Sequence, residues 1–337
     1  MPAPKVLLAD SDTAQAGSIA ADLRRAGYEI LTATDAIHTM NAARSAKPDV
    51  IVLSGQLAGG GALAALQRVR SNVFTTHIPV VGLAGKKGAN TTDLMKAGAQ
   101  ACLKIPVAGD DLVRAIGQHK LESLDFTEAP AEVLKDSDRM KALKSTKLLD
   151  TPAEESFDRL TRLVSRLLGV PTALVTLVDR ERQFFKSQVG LPKEYARKRE
   201  TDLSHSFCQW VVSGREPVVV ADAKDHPTLK SNLAIQHLNV IAYAGVPLYA
   251  AGGQPIGSFC AIDSSPRQWK DEEVATLFDM ALVAEGYAGQ DSKASAHAVR
   301  AVAGLLRRFG ARLTDEDRAD LASILEEKSD KLLGKSK

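Results

Sequence analysis

Two cysteines in the second half of the chain could carry thiol chemistry. Cys208 opens a predicted helix, where backbone N–H groups and His205 could lower the pKa of its thiol. Cys260 falls within a predicted strand. The two could form a redox pair, or a metal site with His205, although cysteines are also ordinary small core residues. The sequence leaves these interpretations open.

A second set of polar side chains follows short apolar runs in the first third of the chain. Asp10, Ser11 and Asp12 come directly after one run, and Ser54 ends another. The carboxylates of Asp10 and Asp12 could hold a cation through their oxygens. The alternative is that they are two solvated carboxylates at a strand end.

The elements that position these residues alternate regularly between residues 5 and 119. Five short apolar runs are separated by helical patterns. Strands that are apolar along their whole length are buried on both faces, which indicates a parallel sheet covered by helices. The pattern predicts a doubly wound α/β domain of the flavodoxin-like kind, with five parallel strands.

Residues 5–119 resemble the receiver domains of bacterial two-component systems. The first acidic loop is present, with Ser11 at one acidic place, but Ser54 stands where the phospho-accepting aspartate belongs. Ala84 takes the place of the switch hydroxyl, and Ile105 takes that of the lysine, beside Lys104. The resemblance therefore implies a degenerate phosphoacceptor site made of Asp10, Ser11, Asp12, Ser54, Ala84, Lys104 and Ile105.

A hydroxyl in place of the acceptor carboxylate decides what this domain can do. Ser54 cannot form an acyl phosphate, so the domain cannot take a phosphoryl group in the usual way. We expect a pseudo-receiver that serves as a docking surface and has no need of Mg²⁺. Phosphorylation of Ser54 by a Ser/Thr kinase would add negative charge and stays an open question.

The region from about Asp138 to Gly289 resembles a GAF domain, a sensory fold of bacterial signalling proteins. Matching segments include Ser206-Phe207-Cys208, Ala242–Leu248 and Ile256–Asp263. Strands flanked by helices predict an α+β domain with an antiparallel sheet. The resemblance implies a small-molecule pocket, for which the candidate residues are His205, Cys208, Trp210, Tyr243, Cys260 and Asp263.

The ligand of that pocket cannot be named from the sequence. The stretch Lys230–Ile235 lacks the phenylalanine and acidic pair of cyclic-nucleotide-binding members. His226 and His237 have no metal-ligand spacing, so no metal is predicted.

Composition shifts divide the chain into four parts. We predict a pseudo-receiver at residues 1–120, a linker at 121–137, a GAF domain at 138–290 and a helical tail at 291–337. The tail carries an apolar stripe, Val299, Val302, Leu305, Leu306 and Phe309, flanked by arginines. An apolar stripe of this kind packs against another surface, which could belong to the GAF domain, to a second copy of this chain or to another protein.

Charge and composition narrow the functional classes. Hydrophobic residues make up 45% and charged residues 25% of the 337-residue chain, and its net charge is +2. This balance is typical of globular proteins and gives no reason to expect nucleic acid or a membrane as a partner. Three cysteines and no signal peptide favour a cytoplasmic protein.

These features predict a signalling adaptor or sensor that is not an enzyme. Its pseudo-receiver would dock other signalling proteins, and its GAF domain would sense a small molecule or mediate homodimerisation. Two alternatives remain. One is a redox sensor or reductase using Cys208 and Cys260, and the other is a nucleic-acid-binding regulator acting through the C-terminal helices.

Overall fold

The chain folds as two compact units, Met1–Phe126 and Thr127–Lys337. The structure is a computed structural model that describes residues 3–58, 61–85, 88–119, 128–288 and 292–332. The first part of the predicted linker, residues 121–127, lies outside the described residues. The rest of that linker contains one short helix, Ala131–Leu134, and a second helix begins at its last residue, Ser137.

The first unit alternates strands and helices, as the apolar runs predict. Its elements are β1 (Lys5–Ala9), α1 (Thr13–Arg25), β2 (Glu29–Ala33), α2 (Ala36–Ala46), β3 (Val50–Ser54), α3 (Gly61–Ser71), β4 (Val80–Ala84), α4 (Thr91–Lys96), β5 (Ala101–Lys104) and α5 (Gly109–His119). All strand pairs are parallel, and the sheet order is β2-β1-β3-β4-β5. This is the flavodoxin-like order, so the predicted fold class is confirmed.

The sheet of the first unit is buried on both faces because alternate residues of each strand point to opposite sides. Val6 and Leu8 of β1 pack with α1 and α5, whereas Leu7 and Ala9 belong to the core on the side of α2, α3 and α4. The carboxyl ends of the strands, where Asp10 and Ser54 lie, meet at one edge.

The second unit begins with three helices and continues into a sheet flanked by helices. Its elements are α6 (Ala131–Leu134), α7 (Ser137–Ser145), α8 (Glu155–Leu168), β6 (Thr172–Val178), β7 (Arg182–Val189), α9 (Lys193–Lys198), β8 (Glu200–Asp202), a 3-10 turn (Leu203–His205), α10 (Cys208–Gly214), β9 (Val218–Val220), α11 (Ala234–His237), β10 (Ala242–Ala250), β11 (Gln254–Asp263), α12 (Asp271–Ala288), α13 (Ser292–Phe309) and α14 (Asp315–Leu332).

The sheet of the second unit has six antiparallel strands in the order β8-β7-β6-β11-β10-β9. One face carries the main core, where Val175, Val246 and Phe259 pack with α8, α12 and α13. The other face is covered by α10. The predicted α+β architecture with an antiparallel sheet is therefore confirmed.

The C-terminal helices belong to the same core as the sheet. Val302, Leu305 and Phe309 of α13 are buried in the cluster that also contains Leu277 and Met280 of α12. The structure thus covers most of the predicted stripe with the helices of this unit. Leu306 remains partly exposed.

Five short elements escaped the sequence analysis, namely α6, α9, β8, the 3-10 turn and α11. Of these, α9 and β8 lie in the polar stretch between Gly190 and Leu203, where the sequence shows no clear period. Within the described residues, no helix is both long and apolar enough to cross a membrane.

Candidate functional site

The acidic loop after β1 is held together by its own hydrogen bonds. Asp12 begins α1, and its Oδ1 accepts hydrogen bonds from the backbone N–H groups of Ala14 and Gln15, both at 3.0 Å. Asp10 is buried, and its two oxygens accept from the Asp12 N–H at 3.0 Å and the Gln15 side-chain amide at 2.6 Å. Capping of α1 thus explains the presence of the Asp12 carboxylate, and the Gln15 amide occupies one of the two oxygens of Asp10.

The remaining positions of this edge offer little to a phosphoryl group. Ser54 ends β3 with no exposed surface, and Ala84, which ends β4, is buried as well. Ser11 donates its hydroxyl to the Gln56 carbonyl at 2.9 Å. Lys104 is exposed and Ile105 is half-buried. Since Ser54 is fully buried, a kinase could reach it only after the surrounding loops open.

Two glycines bring the loops after β3 and β4 into direct contact. The Gly55 carbonyl accepts a hydrogen bond from the Ala89 N–H at 2.9 Å, and the Gly55 N–H donates to the Leu83 carbonyl at 2.7 Å. A Cβ on Gly55 would lie 2.6 Å from the Ala89 carbonyl oxygen. A side chain at Gly88, whose φ is +84°, would overlap the Gly55 carbonyl. The edge is therefore closely packed at the acceptor position.

The donor set at this edge does not fit a bound Mg²⁺. That ion prefers carboxylate and water oxygens in octahedral geometry. Both oxygens of Asp10 and one of Asp12 already accept hydrogen bonds, and Ser54 supplies no third carboxylate. In the part of the chain that the structure describes, no group of three or more His, Cys, Asp or Glu side chains could hold a metal ion.

A second cluster of polar side chains lies between α10 and the sheet of the second unit. The sulfurs of Cys208 and Cys260 are 4.0 Å apart, although 52 residues separate them in sequence. Cys208 is the first residue of α10, and Cys260 lies in the middle of β11. Both are buried, with 3% and 0% of their surface exposed. The structure thus brings the two predicted cysteines together.

Tyr243 completes this cluster from the neighbouring strand β10. Its hydroxyl donates to the Cys208 sulfur at 3.4 Å and lies 3.3 Å from the Ser258 hydroxyl. The ring lies flat over Gly245, where a Cβ would overlap the hydroxyl and come within 2.5 Å of Cζ. Gly245 pairs with Cys260 across the strands. Absence of a side chain at Gly245 therefore allows the tyrosine to reach the cysteines.

Burial and mutual hydrogen bonding make the two thiols unequal. Burial raises the pKa of the Cys260 thiol well above its ordinary value. Hydrogen bonding from Cys260 lowers the pKa of Cys208 despite its burial, and Tyr243 adds to this effect. Burial also raises the pKa of Tyr243 well above the usual range. Cys208 is therefore the sulfur that loses its proton first.

The other predicted pocket residues lie in different environments. His205 does not assist Cys208, because its Nε2 is 2.8 Å from Nδ1 of His237. Its pKa is lowered by burial and by that second imidazole. Asp263 ends β11 and forms an ion pair with Arg267 at 3.2 Å. The Trp210 side chain is buried in α10, and neither its Nε1 nor the Ser213 hydroxyl has a hydrogen-bond partner among the described residues.

Two members of the cluster were missed from the sequence. Ser258 lies two residues before Cys260 on the same face of β11, and Thr176 of β6 is its partner across the strands. The period of two in a strand could have identified Ser258 once Cys260 was chosen. Thr176 required the strand order, which the sequence does not reveal.

Comparisons with known proteins found similarities in both units of the chain. A protein-family model for the GAF domain matches residues 152–286. The first unit is similar to a response regulator from Chloroflexus aurantiacus, at 23% identity over 36% of this chain and 99% of that one, with a TM-score of 0.34. It is also similar to the receiver domain of a sensor histidine kinase from Pseudomonas aeruginosa, at 20% identity over 36% and 99% of the chains, with a TM-score of 0.34.

A curated relative corrects one prediction. A cyclic di-GMP phosphodiesterase of Pseudomonas aeruginosa is 34% identical over 121 residues, which is 36% of this chain and 20% of the relative. Because that relative is named as an enzyme, the prediction that this chain is not an enzyme is wrong. The chain spans only 20% of the relative's length.

The strand order of each sheet and the match to the family model thus lead to one description. The chain contains a GAF domain at residues 152–286, preceded by a domain with the flavodoxin-like strand order β2-β1-β3-β4-β5.

Proposed function

We propose that this protein is a signalling sensor whose GAF domain receives a small-molecule signal on the α10 face of its sheet. A receiver-type domain joined to a GAF domain is an arrangement suited to signalling. The observation that carries the proposal is the buried polar cluster of Cys208, Tyr243, Ser258 and Cys260.

The physical argument rests on the cost of burying polar groups. Nearly all buried polar atoms in folded proteins have hydrogen-bond partners, so an unpartnered one needs a reason. On α10, Trp210 Nε1 and the Ser213 hydroxyl are both buried without a partner among the described residues. The opposite face of the same sheet is filled by apolar side chains. Unpartnered polar groups that lie beside the buried cluster of cysteine, tyrosine and serine side chains favour recognition of a ligand on this face.

Native mass spectrometry of the full chain, purified under reducing conditions, tests this proposal. We expect the folded protein to carry a small molecule that is released on denaturation. The Ser258→Ala and Trp210→Phe variants should retain less of it. A native mass equal to that of the polypeptide alone, in preparations from several growth conditions, would contradict the proposal.

For the receiver-type domain, we propose docking of a signalling protein without phosphoryl transfer. Support comes from the capping role of Asp12, the pairing of Asp10 with Gln15 and the buried hydroxyl of Ser54. Incubation with acetyl phosphate and Mg²⁺ should leave the chain unlabelled. Acid-labile phosphate on Asp10 or Asp12 would contradict this part of the proposal.

A second candidate function is participation in cyclic di-GMP turnover. It is favoured by the similarity to the Pseudomonas aeruginosa phosphodiesterase. The test is to incubate the purified chain with cyclic di-GMP and either Mg²⁺ or Mn²⁺, and to follow the linear dinucleotide by chromatography. Formation of that product supports the candidate, and unchanged cyclic di-GMP after prolonged incubation with both metals counts against it.

A further inference from the structure

The two buried cysteines are placed for a covalent reaction with one another. Their sulfurs are 4.0 Å apart, whereas a disulfide has an S–S length of about 2.05 Å. Cys260 is fixed in a central strand between β6 and β10. Cys208 lies on α10, a helix of only seven residues. A shift of α10 toward the sheet by about 2 Å would therefore close the gap.

The surroundings of Cys208 and Cys260 make the two thiols unequal in reactivity. Cys208 accepts a hydrogen bond from Tyr243, and Ser258 lies on the far side of that hydroxyl. Cys260 is enclosed by its strand neighbours and has no exposed surface. Such an arrangement gives one sulfur the character of a nucleophile and leaves the other as a protonated resolving thiol.

We propose that Cys208 and Cys260 form an oxidation site at which a hydroperoxide converts the two thiols into a disulfide. This inference rests on the proposed sensory role of the α10 face and adds to the retained small molecule a second signal, a small oxidant. It assigns a covalent modification to residues whose burial alone would suggest only packing.

The reaction balances in two steps. In the first, the Cys208 sulfur attacks a peroxide oxygen, so that an S–O bond forms and the O–O bond breaks. For hydrogen peroxide the leaving hydroxide takes the thiol proton and departs as water, leaving a sulfenic acid. In the second, the Cys260 sulfur displaces the remaining hydroxyl, which leaves as water with the Cys260 proton. The peroxide gains two electrons and the two thiols lose them.

Burial determines which oxidants can act. With 3% and 0% of their surface exposed, the cysteines admit only a small neutral molecule that can pass α10 during local opening. Hydrogen peroxide is close to water in size, whereas oxidised glutathione is a charged tripeptide dimer. We therefore expect peroxide to form the disulfide and oxidised glutathione to form it far more slowly.

The test is peptide mapping of the full chain after treatment with hydrogen peroxide and blocking of free thiols. We expect one linked peptide pair joining Cys208 to Cys260, two hydrogen atoms lighter than the reduced pair. In the Cys260→Ser variant, dimedone added while the peroxide-treated protein is unfolded should trap a sulfenic acid on Cys208. The matched control is Cys102→Ser, which removes the half-buried cysteine of the first unit and should leave the link unchanged.

Two results would overturn the inference. One is that both cysteines remain free thiols while methionines of the same sample are oxidised. The other is that oxidised glutathione links them as fast as peroxide does. Because ligand retention is measured on reduced protein, a retained small molecule with unreactive cysteines would remove the oxidation site and leave the sensory proposal intact. If no small molecule is retained but the disulfide still forms, the oxidation site stands and the proposal of a bound small molecule is removed.

Discussion

Gly245 shows how a single missing side chain positions the reactive cluster. Tyr243 lies over it, held by Phe207, whose ring centroid is 5.3 Å away, and by the Cys208 sulfur. A methyl group at Gly245 would overlap the tyrosine hydroxyl, and the ring is buried, with 1% of its surface exposed. We predict that Gly245→Ala costs about 1–3 kcal/mol of folding free energy. Chemical denaturation of the full chain measures this loss.

A double-mutant cycle separates this clash from a general effect of the added methyl group. In a Tyr243→Ala background the same Gly245→Ala change should cost less, because the overlapping ring is absent. Gly117 in α5 is the control, since nothing lies within 4 Å of a Cβ built there. Gly117→Ala should be neutral or stabilising. Equal costs of Gly245→Ala in both backgrounds would refute the proposed clash.

Glu285 predicts a pH dependence of stability. Burial raises its pKa from 4.5 to about 7, although the Tyr249 N–H donates a hydrogen bond to it at 2.8 Å. The folded state binds the Glu285 proton more tightly than the unfolded state does. The contribution of Glu285 to the free energy of unfolding is therefore fully present below about pH 4.5, and it is lost as the pH rises through about 7. Denaturation curves across this range should show the slope in the wild type.

The Glu285→Gln variant should lose that slope while keeping an acceptor for the Tyr249 N–H. Glu272 is the matched control, because it lies exposed in the first turn of the same helix. Glu272→Gln should retain the wild-type slope. A wild-type protein whose stability does not change between these pH values would show that Glu285 is not held neutral by the fold.

At the scale of elements, two arginines of α8 fasten α14 to the GAF domain. Arg166 bonds to Asp317 at 2.7 Å and to Asp320 at 2.6 Å. Arg159 reaches Glu327 at 3.0 Å. Asp317 is only 4% exposed in its side chain, so this pairing is partly shielded from solvent. The apolar contacts of α13 and these ion pairs act together in holding the C-terminal helices.

We predict that Arg166→Ala weakens the docking of α14 by about 1–3 kcal/mol. Hydrogen exchange of the α14 amides should speed up accordingly, while exchange in the sheet remains slow. Arg162→Ala is the control, because Arg162 pairs with Glu155 of its own helix. If both variants exchange alike, the ion pairs between the two helices do not determine docking.

The interface between α8 and α14 should weaken in acid. Burial would raise the pKa of Asp317, but hydrogen bonds from Arg166 and Thr314 lower it below its ordinary value. A depressed pKa contributes stability above the unfolded-state pKa of about 4, and this is lost as the pH falls through the lower, folded-state value. Exchange of the α14 amides, corrected for the intrinsic effect of pH, should therefore accelerate only in acid.

At the scale of the molecule, each of the two units has its own sheet and its own core. Residues 1–119 and 128–332 should therefore fold when expressed separately, as judged by circular dichroism and cooperative unfolding. A fragment that covers residues 128–288 should not show this cooperative unfolding. It lacks α13, and Leu277, Met280 and Ala281 of α12 would lose their cover.

Light scattering distinguishes the two longer fragments. We expect the fragment 128–332 to remain dispersed, whereas 128–288 associates or precipitates at the same concentration. A shorter fragment that stays monomeric and unfolds at the same temperature would show that the C-terminal helices are dispensable for this core.

The sequence was informative wherever a local period determines structure. The continuous apolar runs between residues 5 and 119 identified the buried parallel sheet. Contacts between residues that are far apart in the sequence could not be predicted from it. The approach of Cys208 to Cys260 depends on where α10 lies over the sheet, and the cover of Val302 depends on α12. The edge strand β8 was missed because it has three residues within a polar stretch.

The hydrogen bonds of the first loop also bear on what a carboxylate at position 54 could do. Substituting aspartate for Ser54 would add a carboxylate beside an Asp10 already occupied by Gln15, with Asp12 committed to α1 and no hydroxyl at position 84. Such a variant gains no phosphorylation and buries an unpaired charge. Ser54→Asp alone is therefore expected to lower the stability of the first unit without enabling phosphoryl transfer.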